Sequence, residues 1–538
     1  KGDKLNAPDP KNYQGNQVQV HSDDEVPSVA IIPFRNKGKE EEEFYAYGIC
    51  SELISDVSGA GLIRVASLEK IIELGELSAS EKAKELNVRY ITTGMLWKMG
   101  DMFQLSIELY DTKDTKVIWS DQWQEHWDNL STIKGNLSAG LLKAFNTKNN
   151  INYKSALINP EAYKYYLEAQ YKYDNLEYGS EYKAIRGLLT KCLSMDENIL
   201  EAKRLLAETY FDTNDNKIAK DISNEVIKKG EETGNHKIVA STLRRLGQSC
   251  IFMRDFDMAL EYISRALKIA RMINDKQRIA ESTCSLGWLY SERGTKSTDE
   301  LFSMFESGME VFKELEDIRS QIFTYLDMSF IRMEKIEKSK LYVESAYELA
   351  NNFGNKVDIY VVSICIGYHY SIWGGNYELG DDFMKTGIEM AKEIDDKKME
   401  SLGIQLLGES LYQQGKYQES LHFYEESLNI NEEIDLKLWK LGTVLGIAIN
   451  RKKLGLEIEF DILNKELEQK YNQSNNDVSQ MYIDYCQYIS YEDKKYLQMS
   501  YDGCINIANK LDGKDRKKYL KAPWMKTIIE EWEENNEL

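Results

Sequence analysis

Side chains able to do acid–base, nucleophilic or metal chemistry are present but scattered. The five histidines, His21, His126, His236, His369 and His422, stand far apart, with no HExxH or HxH pair to seat a metal. The seven cysteines, Cys50, Cys192, Cys250, Cys284, Cys365, Cys486 and Cys504, form no C-x-x-C pair. Several fall where a helical pattern asks for a small apolar side chain, so they read as free thiols packed as hydrophobes in a reducing compartment. There is no GxxxxGK phosphate loop and no GxSxG elbow, and "SGAGLIRVA" has only two glycines and leads into a strand rather than a helix. The acidic runs Asp23–Glu25 and Glu40–Glu43 sit in expected loops and read as solvated charge. Glu125, His126 and Asp128 could converge near the Asn146–Pro160 junction to make a hidden active site, or could simply be a polar strand end. The expectation is a chain that is not an enzyme and binds no cofactor or metal.

Bulk properties narrow the classes further. A chain of 538 residues is too long for one core, so several domains or an extended array are expected. No apolar run approaches the roughly 18 residues that cross a bilayer. A net charge of −21 repels phosphate backbones and anionic lipid, which argues against nucleic-acid or membrane-surface binding.

The elements that position these residues show a period. From Glu161 to Ala522 there is no proline, as suits a long run of helices, since proline inside a helix costs about 3 kcal/mol. The small or turn-tolerant residue after each Leu or Ile falls at Ala207, Gly247, Gly287, Asp327, Gly367 and Gly408, in steps of 40, 40, 40, 40 and 41. A second ruler of Asn and Asp, at Asn235, Asp275, Asp317, Asn355, Asp395 and Asp435, returns about as often. In "LGESLYQQGKYQESLHFYEESL" (Leu407–Leu428), Ile404, Leu407, Gly408 and Leu411 stripe one helix. Gly415 breaks the chain, and Tyr417, Ser420, Phe423, Tyr424, Ser427 and Leu428 stripe the next.

This pattern resembles the tetratricopeptide repeat in its longer, forty-residue form. It matches best at Ala202–Ile227, Leu243–Ile269 and Leu402–Ile430, less closely at Cys284–Phe312 and Ile364–Met390, and least at Tyr325–Leu349. A degenerate copy is expected at Glu161–Met195, with helical pattern continuing through Leu441–Leu467 and Tyr482–Leu511. The resemblance implies a right-handed all-α solenoid whose inner face is lined by the first helix of each pair. By repeat register that face carries Arg204, Glu208, Phe211, Arg244, Gln248, Phe252, Trp288, Tyr368, Gln405, Glu409 and Tyr412, a groove suited to a protein or peptide partner. Packing between helices is the competing reading of Trp288 and Tyr368.

Before Pro160 the texture is α/β. "VPSVAIIPF" (Val26–Phe34), "GLIRVAS", Val88–Lys98, Met102–Tyr110 and Lys116–Trp123 read as strands. Helices are expected at Phe44–Val57, around Ser80–Leu86 and at Leu130–Phe145, giving β-α-β-α-β-β-β-α. With "FYAYGICSELI", "AKELNVRYITTG", "LSIELYDTK" and "VIWSDQW", this block resembles the TolB-like N-terminal domain, in which "LEKIIELGELSAS" looks shortened. The resemblance implies a receptor-like or interaction module without catalytic residues. The expected layout is a linker at 1–26, a TolB-like domain at 27–150, the solenoid at 151–520 and a capping helix or tail at 521–538.

TolB-like domain followed by repeats resembles the C-terminal region of bacterial class III adenylate/guanylate cyclases. With Lys1 in place of Met and a polar, proline-bearing start, the expectation is the cytoplasmic signalling part of such a cyclase, able to dimerise through the missing catalytic domain. The alternatives are a stand-alone cytoplasmic or periplasmic scaffold and an enzyme with an unrecognised site at the domain junction.

Overall fold

The structure is a computed structural model that describes residues 27–39, 42–59, 63–66, 68–75, 77–100, 102–126, 130–145, 159–331, 336–458, 477–509, 511 and 513–536. The linker expected at 1–26, Asp128 and most of the Asn146–Pro160 junction lie outside the described residues.

Alternation of apolar and polar residues builds the N-terminal sheet. Its order is β3-β1-β4-β5-β6, with a short β2 (Arg35–Asn36) also pairing with β4. β1 (Ser28–Ile31) lies parallel to β3 (Arg64–Val65) and β4 (Tyr90–Met99); β4, β5 (Met102–Asp111) and β6 (Lys116–His126) form an antiparallel meander. Phe103, Leu105, Ile107 and Leu109, the period-two set of β5, are fully buried against helices α1 (Glu43–Gly59) and α4 (Leu130–Ala144). The opposite face is covered at β1 by α2 (Leu68–Glu73) and α3 (Ala79–Glu85). Where one short helix was expected there are two, because "LEKIIE" has enough apolar residues for its own turn of helix. Ser78 and Glu81 then start α3 as a capping box.

Seven helix pairs follow among the described residues. They are α5 (Pro160–Asp174) with α6 (Glu181–Met195), α7 (Leu200–Asp212) with α8 (Asn216–Thr233), and α9 (His236–Phe252) with α10 (Phe256–Met272). Next come α11 (Lys276–Arg293) with α12 (Thr298–Glu314), and α13 (Ile318–Ile331) with α14 (Ile336–Phe353). The last two are α15 (Lys356–Tyr368) with α16 (Tyr377–Ile394), and α17 (Lys397–Gln413) with α18 (Tyr417–Glu433). Beyond them lie α19 (Lys440–Lys453), α20 (Asp477–Tyr491), α21 (Lys494–Asn509), α22 (Gly513–Lys521) and α23 (Pro523–Asn536).

The two sequence rulers have physical causes. Asn235, Asp275, Asp317 and Asn355 are N-caps, each side chain accepting a backbone N–H three residues on. At the next repeat the cap is Asp396, one residue past the marker; Asp395 instead turns the chain at φ 63° and Asp435 at φ 49°. The small-residue ruler marks where paired helices touch. A Cβ on Gly247 would sit 2.3 Å from Ile263 Cγ1, and Ser420 Oγ donates to Gly408 O at 2.7 Å.

The array curls until its start meets its end. Gly179 N donates to Glu393 O at 2.9 Å, where a side chain at Gly179 would strike Ile394 O. Lys356 Nζ reaches Glu177 O at 3.0 Å, Lys398 Nζ reaches Phe211 O at 2.8 Å, and Leu438 N donates to Phe252 O at 3.1 Å. One buried cluster accordingly runs from the sheet through α5 and α6 to the helices between Ile318 and Ile394.

Two alanine substitutions test this account by thermal or chemical denaturation. Gly247→Ala should destabilise by about 1–3 kcal/mol through overpacking. Gly187→Ala, mid-helix with nothing within 4 Å of the new Cβ, should stabilise by about 0.5–1 kcal/mol.

Candidate binding cavity

Closure of the array leaves a cavity of about 2100 Å³ between the inner helices and the N-terminal domain. One wall is α1, which presents Tyr47, Glu52 and Asp56 from one face, and α5 stands beside it. In "EAYKYYLEAQYKYD", Tyr163, Tyr166, Gln170 and Tyr173 recur at helical spacing and all line the cavity. Tyr163 donates to Glu52, Tyr47 donates to Asp174 Oδ2 at 3.4 Å, and Tyr173 donates to Asp212 Oδ2 at 2.7 Å.

The floor is a charged ladder on the first helices of the repeats. Arg204 Nη1 lies 3.3 Å from Glu208 Oε1, while Arg245 forks between Glu208 Oε2 at 2.7 Å and Asp212 Oδ1 at 2.9 Å. Burial alone would raise the Glu208 pKa, but Arg245 and Arg204 outweigh it and hold the carboxyl below its ordinary range. For Asp212 burial wins, and its pKa is raised. Across the cavity Arg244 pairs with Glu281 at 3.3 Å, and Arg319 with Asp358 at 3.3 Å. The Arg319 side chain is 54% exposed although the cavity encloses it, so it stands in cavity solvent.

The N-terminal domain is pinned across the opening. Glu316, in a left-handed turn at φ 53°, bridges Arg64 at 3.1 Å and Lys70 at 3.4 Å. Lys237 Nζ donates to Ser55 O at 2.9 Å.

Of the residues expected to form a groove, Arg204, Glu208 and Arg244 line this cavity. The others are covered by the chain itself. Phe211 is 2% exposed beneath the Arg245 guanidinium, and Gln248 Nε2 donates to Ser285 Oγ at 3.4 Å. Phe252 is edge-on to Trp288 and Trp439, so the connection after α18 sits where a partner was expected. Tyr368 donates to Glu409 Oε1 at 3.5 Å, and Gln405 Oε1 accepts from Thr443 at 2.8 Å. Tyr412 hydrogen-bonds Thr527 at 2.9 Å and stacks on Trp524, both from α23. Register alone placed these residues on an open face; closure and the C-terminal helix fill that face.

Other candidates disperse. His126 is exposed at the end of β6, and His369 is buried with Nε2 3.1 Å from Ser339 Oγ. None of the seven cysteines is in a disulfide, and burial pushes Cys192, Cys284, Cys365 and Cys504 up to about 12, far from a reactive thiolate. Register also missed Glu52, Asp56, Tyr166 and Lys398. The available signal was the density of tyrosine in α5.

Comparison with known proteins is consistent with the helix pairs. A tetratricopeptide repeat family model matches residues 240–271 and 404–434. No curated protein matches the chain. A Rap protein complexed with competence and sporulation factor is similar at 14% identity and TM-score 0.44, over 69% of this chain and 99% of that one. A signal-transduction ATPase with a tetratricopeptide repeat sensor from Pyrococcus horikoshii is similar at 12% identity and TM-score 0.38, over 80% and 65%. TolB from Acinetobacter baumannii is similar at 17% identity and TM-score 0.18, over 23% and 29%. At such scores the assignment rests on the two matched segments and on the helix pairs themselves. The chain carries tetratricopeptide repeats within a longer helical array, preceded by a small mixed sheet.

Two measurements follow. Arg245→Met strands two carboxylates beside each other and should cost about 3 kcal/mol in denaturant melts, with Arg245→Lys intermediate because it keeps the charge and loses the fork. Burial raises the Glu409 pKa from 4.5 to about 7, against the hydrogen bonds from Trp524 and Tyr368. The folded state then holds a proton that the unfolded chain releases, so this contribution to stability falls as pH rises from about 4.5 to 7. Subtracting the Glu409→Gln stability profile from that of the native chain should isolate that decline.

Proposed function

We propose that the chain is a non-catalytic regulatory and protein-interaction module that holds a peptide or protein segment against the inner face of its repeats. The observation that carries this reading is the cavity of about 2100 Å³ walled jointly by repeat helices and α1. Its size exceeds the roughly 300–1,000 Å³ usual for small-molecule pockets. An occupant touching both walls would alter the seating of the N-terminal domain, which is how binding becomes a signal. The order of strands and helices in that domain supports the TolB-like reading. No helix of the described residues is long and apolar enough to cross a membrane, which fits either a cytoplasmic or a periplasmic scaffold.

The finer reading, the C-terminal part of a class III adenylate/guanylate cyclase, rests on resemblance of domain order. The purified chain should form no cyclic nucleotide from ATP or GTP with Mg²⁺ or Mn²⁺; turnover would overturn the non-catalytic assignment. The interaction half is tested by photo-crosslinking from Ser55 and Ser241, two cavity positions, in cells expressing the whole chain. Reproducible capture of a defined partner at both positions supports it, and labelling by water alone at both refutes it.

A further inference from the structure

The cavity is chemically lopsided. Twelve carboxylates line it against seven lysines and arginines, and in confined solvent that excess is repulsive unless a cation enters. On the wall made by α1, α5 and α7, Glu52, Asp56, Asp174 and Glu201 all line the cavity around Tyr163 and Tyr166. Ser138 donates to Asp56 at 2.9 Å, and Asn235 Nδ2 donates to Glu201 at 3.5 Å, both neutral groups. The nearby guanidinium, Arg204, is paired with Glu208 and also acts on Glu201 and Tyr166, so one cation serves several acidic groups.

A second observation lies at the centre of this wall. Tyr166 is only 4% exposed and lines the cavity, yet among the described residues nothing hydrogen-bonds its hydroxyl. The fields of Glu52, Glu201 and Asp174 all reach it. One turn along the same face, Gln170 Oε1 is buried without a hydrogen-bond partner. An amide oxygen buried without a partner is costly unless a ligand or solvent completes it, and the Tyr166 hydroxyl opens onto the same space with no protein partner among the described residues. A phenol that can donate and an amide that can accept match a peptide backbone, whose units offer one of each.

We propose that this wall binds an extended peptide segment bearing lysine or arginine side chains: Tyr166 and Gln170 engage its backbone, and Asp56, Asp174 and Glu201 receive its cationic groups. The proposal rests on the interaction reading above and adds the chemical class of the occupant. Free polyamines share the cationic chemistry but carry no amide for Tyr166 and Gln170.

The test uses the whole chain with three probes: a short capped peptide of alternating alanine and lysine, its alanine–glutamate counterpart, and spermine. Hydrogen exchange should show protection of α1, α5 and α7 with the lysine peptide only. Anisotropy titration should show affinity falling about tenfold in Asp174→Asn/Glu201→Gln and about fivefold in Tyr166→Phe. Glu533→Gln/Glu534→Gln, an exposed pair far along the chain, should bind like the native protein. Because the chain is acidic overall, equal weakening by that surface pair would reduce the effect to nonspecific attraction and overturn the site. Unchanged affinity in the cavity variants, or protection by spermine as strong as by the peptide, would do the same. Protection by the glutamate peptide would overturn the cationic class and leave the interaction module standing. Protection by none of the probes would overturn this proposal, while the photo-crosslinking outcome decides the broader reading separately. The exchange measurement needs no variant, so it stands even if a substitution fails to fold.

Discussion

A pair of antiparallel helices cannot cover its own apolar face, and the architecture of this protein follows from how those faces are covered. Each pair lends one face to the next, so the array grows by stacking, and the small residues at Gly247, Gly287 and Gly408 set how closely the helices of a pair approach. Stacking with a constant rotation per pair bends the array. Here it bends far enough for Gly179 to meet Glu393 and for Lys398 to meet Phe211. Contact between distant repeats distinguishes this molecule from an open solenoid, in which each repeat touches only its neighbours. It also makes the array less one-dimensional, since loosening α17 removes support from α7.

Closure changes what the inner face can be. In an open array the first helices present a broad groove. Here the connection after α18 covers Phe252, and α23 covers Tyr412, so the apolar part of that face becomes core. What stays solvated is the polar part near the N-terminal domain, where carboxylates and guanidinium groups must be matched because water is confined. Arg245 forking between Glu208 and Asp212 is the strongest such match, and Asp212 still carries a raised pKa because burial outweighs Arg245 and Lys398. Polar ladders of this kind hold helices in register at a desolvation cost that apolar contacts elsewhere offset.

The N-terminal sheet is joined to the array by α1 packing on α5 and by ion pairs at Glu316. The first contact is apolar and belongs to the shared core. The second is a pair of largely buried bridges that share one carboxylate, Glu316. The domain is thus held by an apolar edge along α1 and α5 and by the ion pairs at Glu316. The cavity lies under that edge, so whatever occupies it acts on the same contact.

The period, the helix pairs and the α/β character of the first block were determined by the sequence itself, because they depend on local signals. N-caps at Asn235, Asp275, Asp317 and Asn355 act within three residues, and alternation in β5 acts within one strand. The strand order β3-β1-β4-β5-β6, the second helix after β3 and the true cap at Asp396 needed the folded chain to resolve. The site needed it most. Repeat register could name which residues face inward but not how far the array bends, since that bend is a sum of small rotations set by packing at every interface. Only the tertiary structure decides that Arg204 and Arg244 line a cavity while Phe252 and Tyr412 are roofed over, and that α1 closes the space beside them.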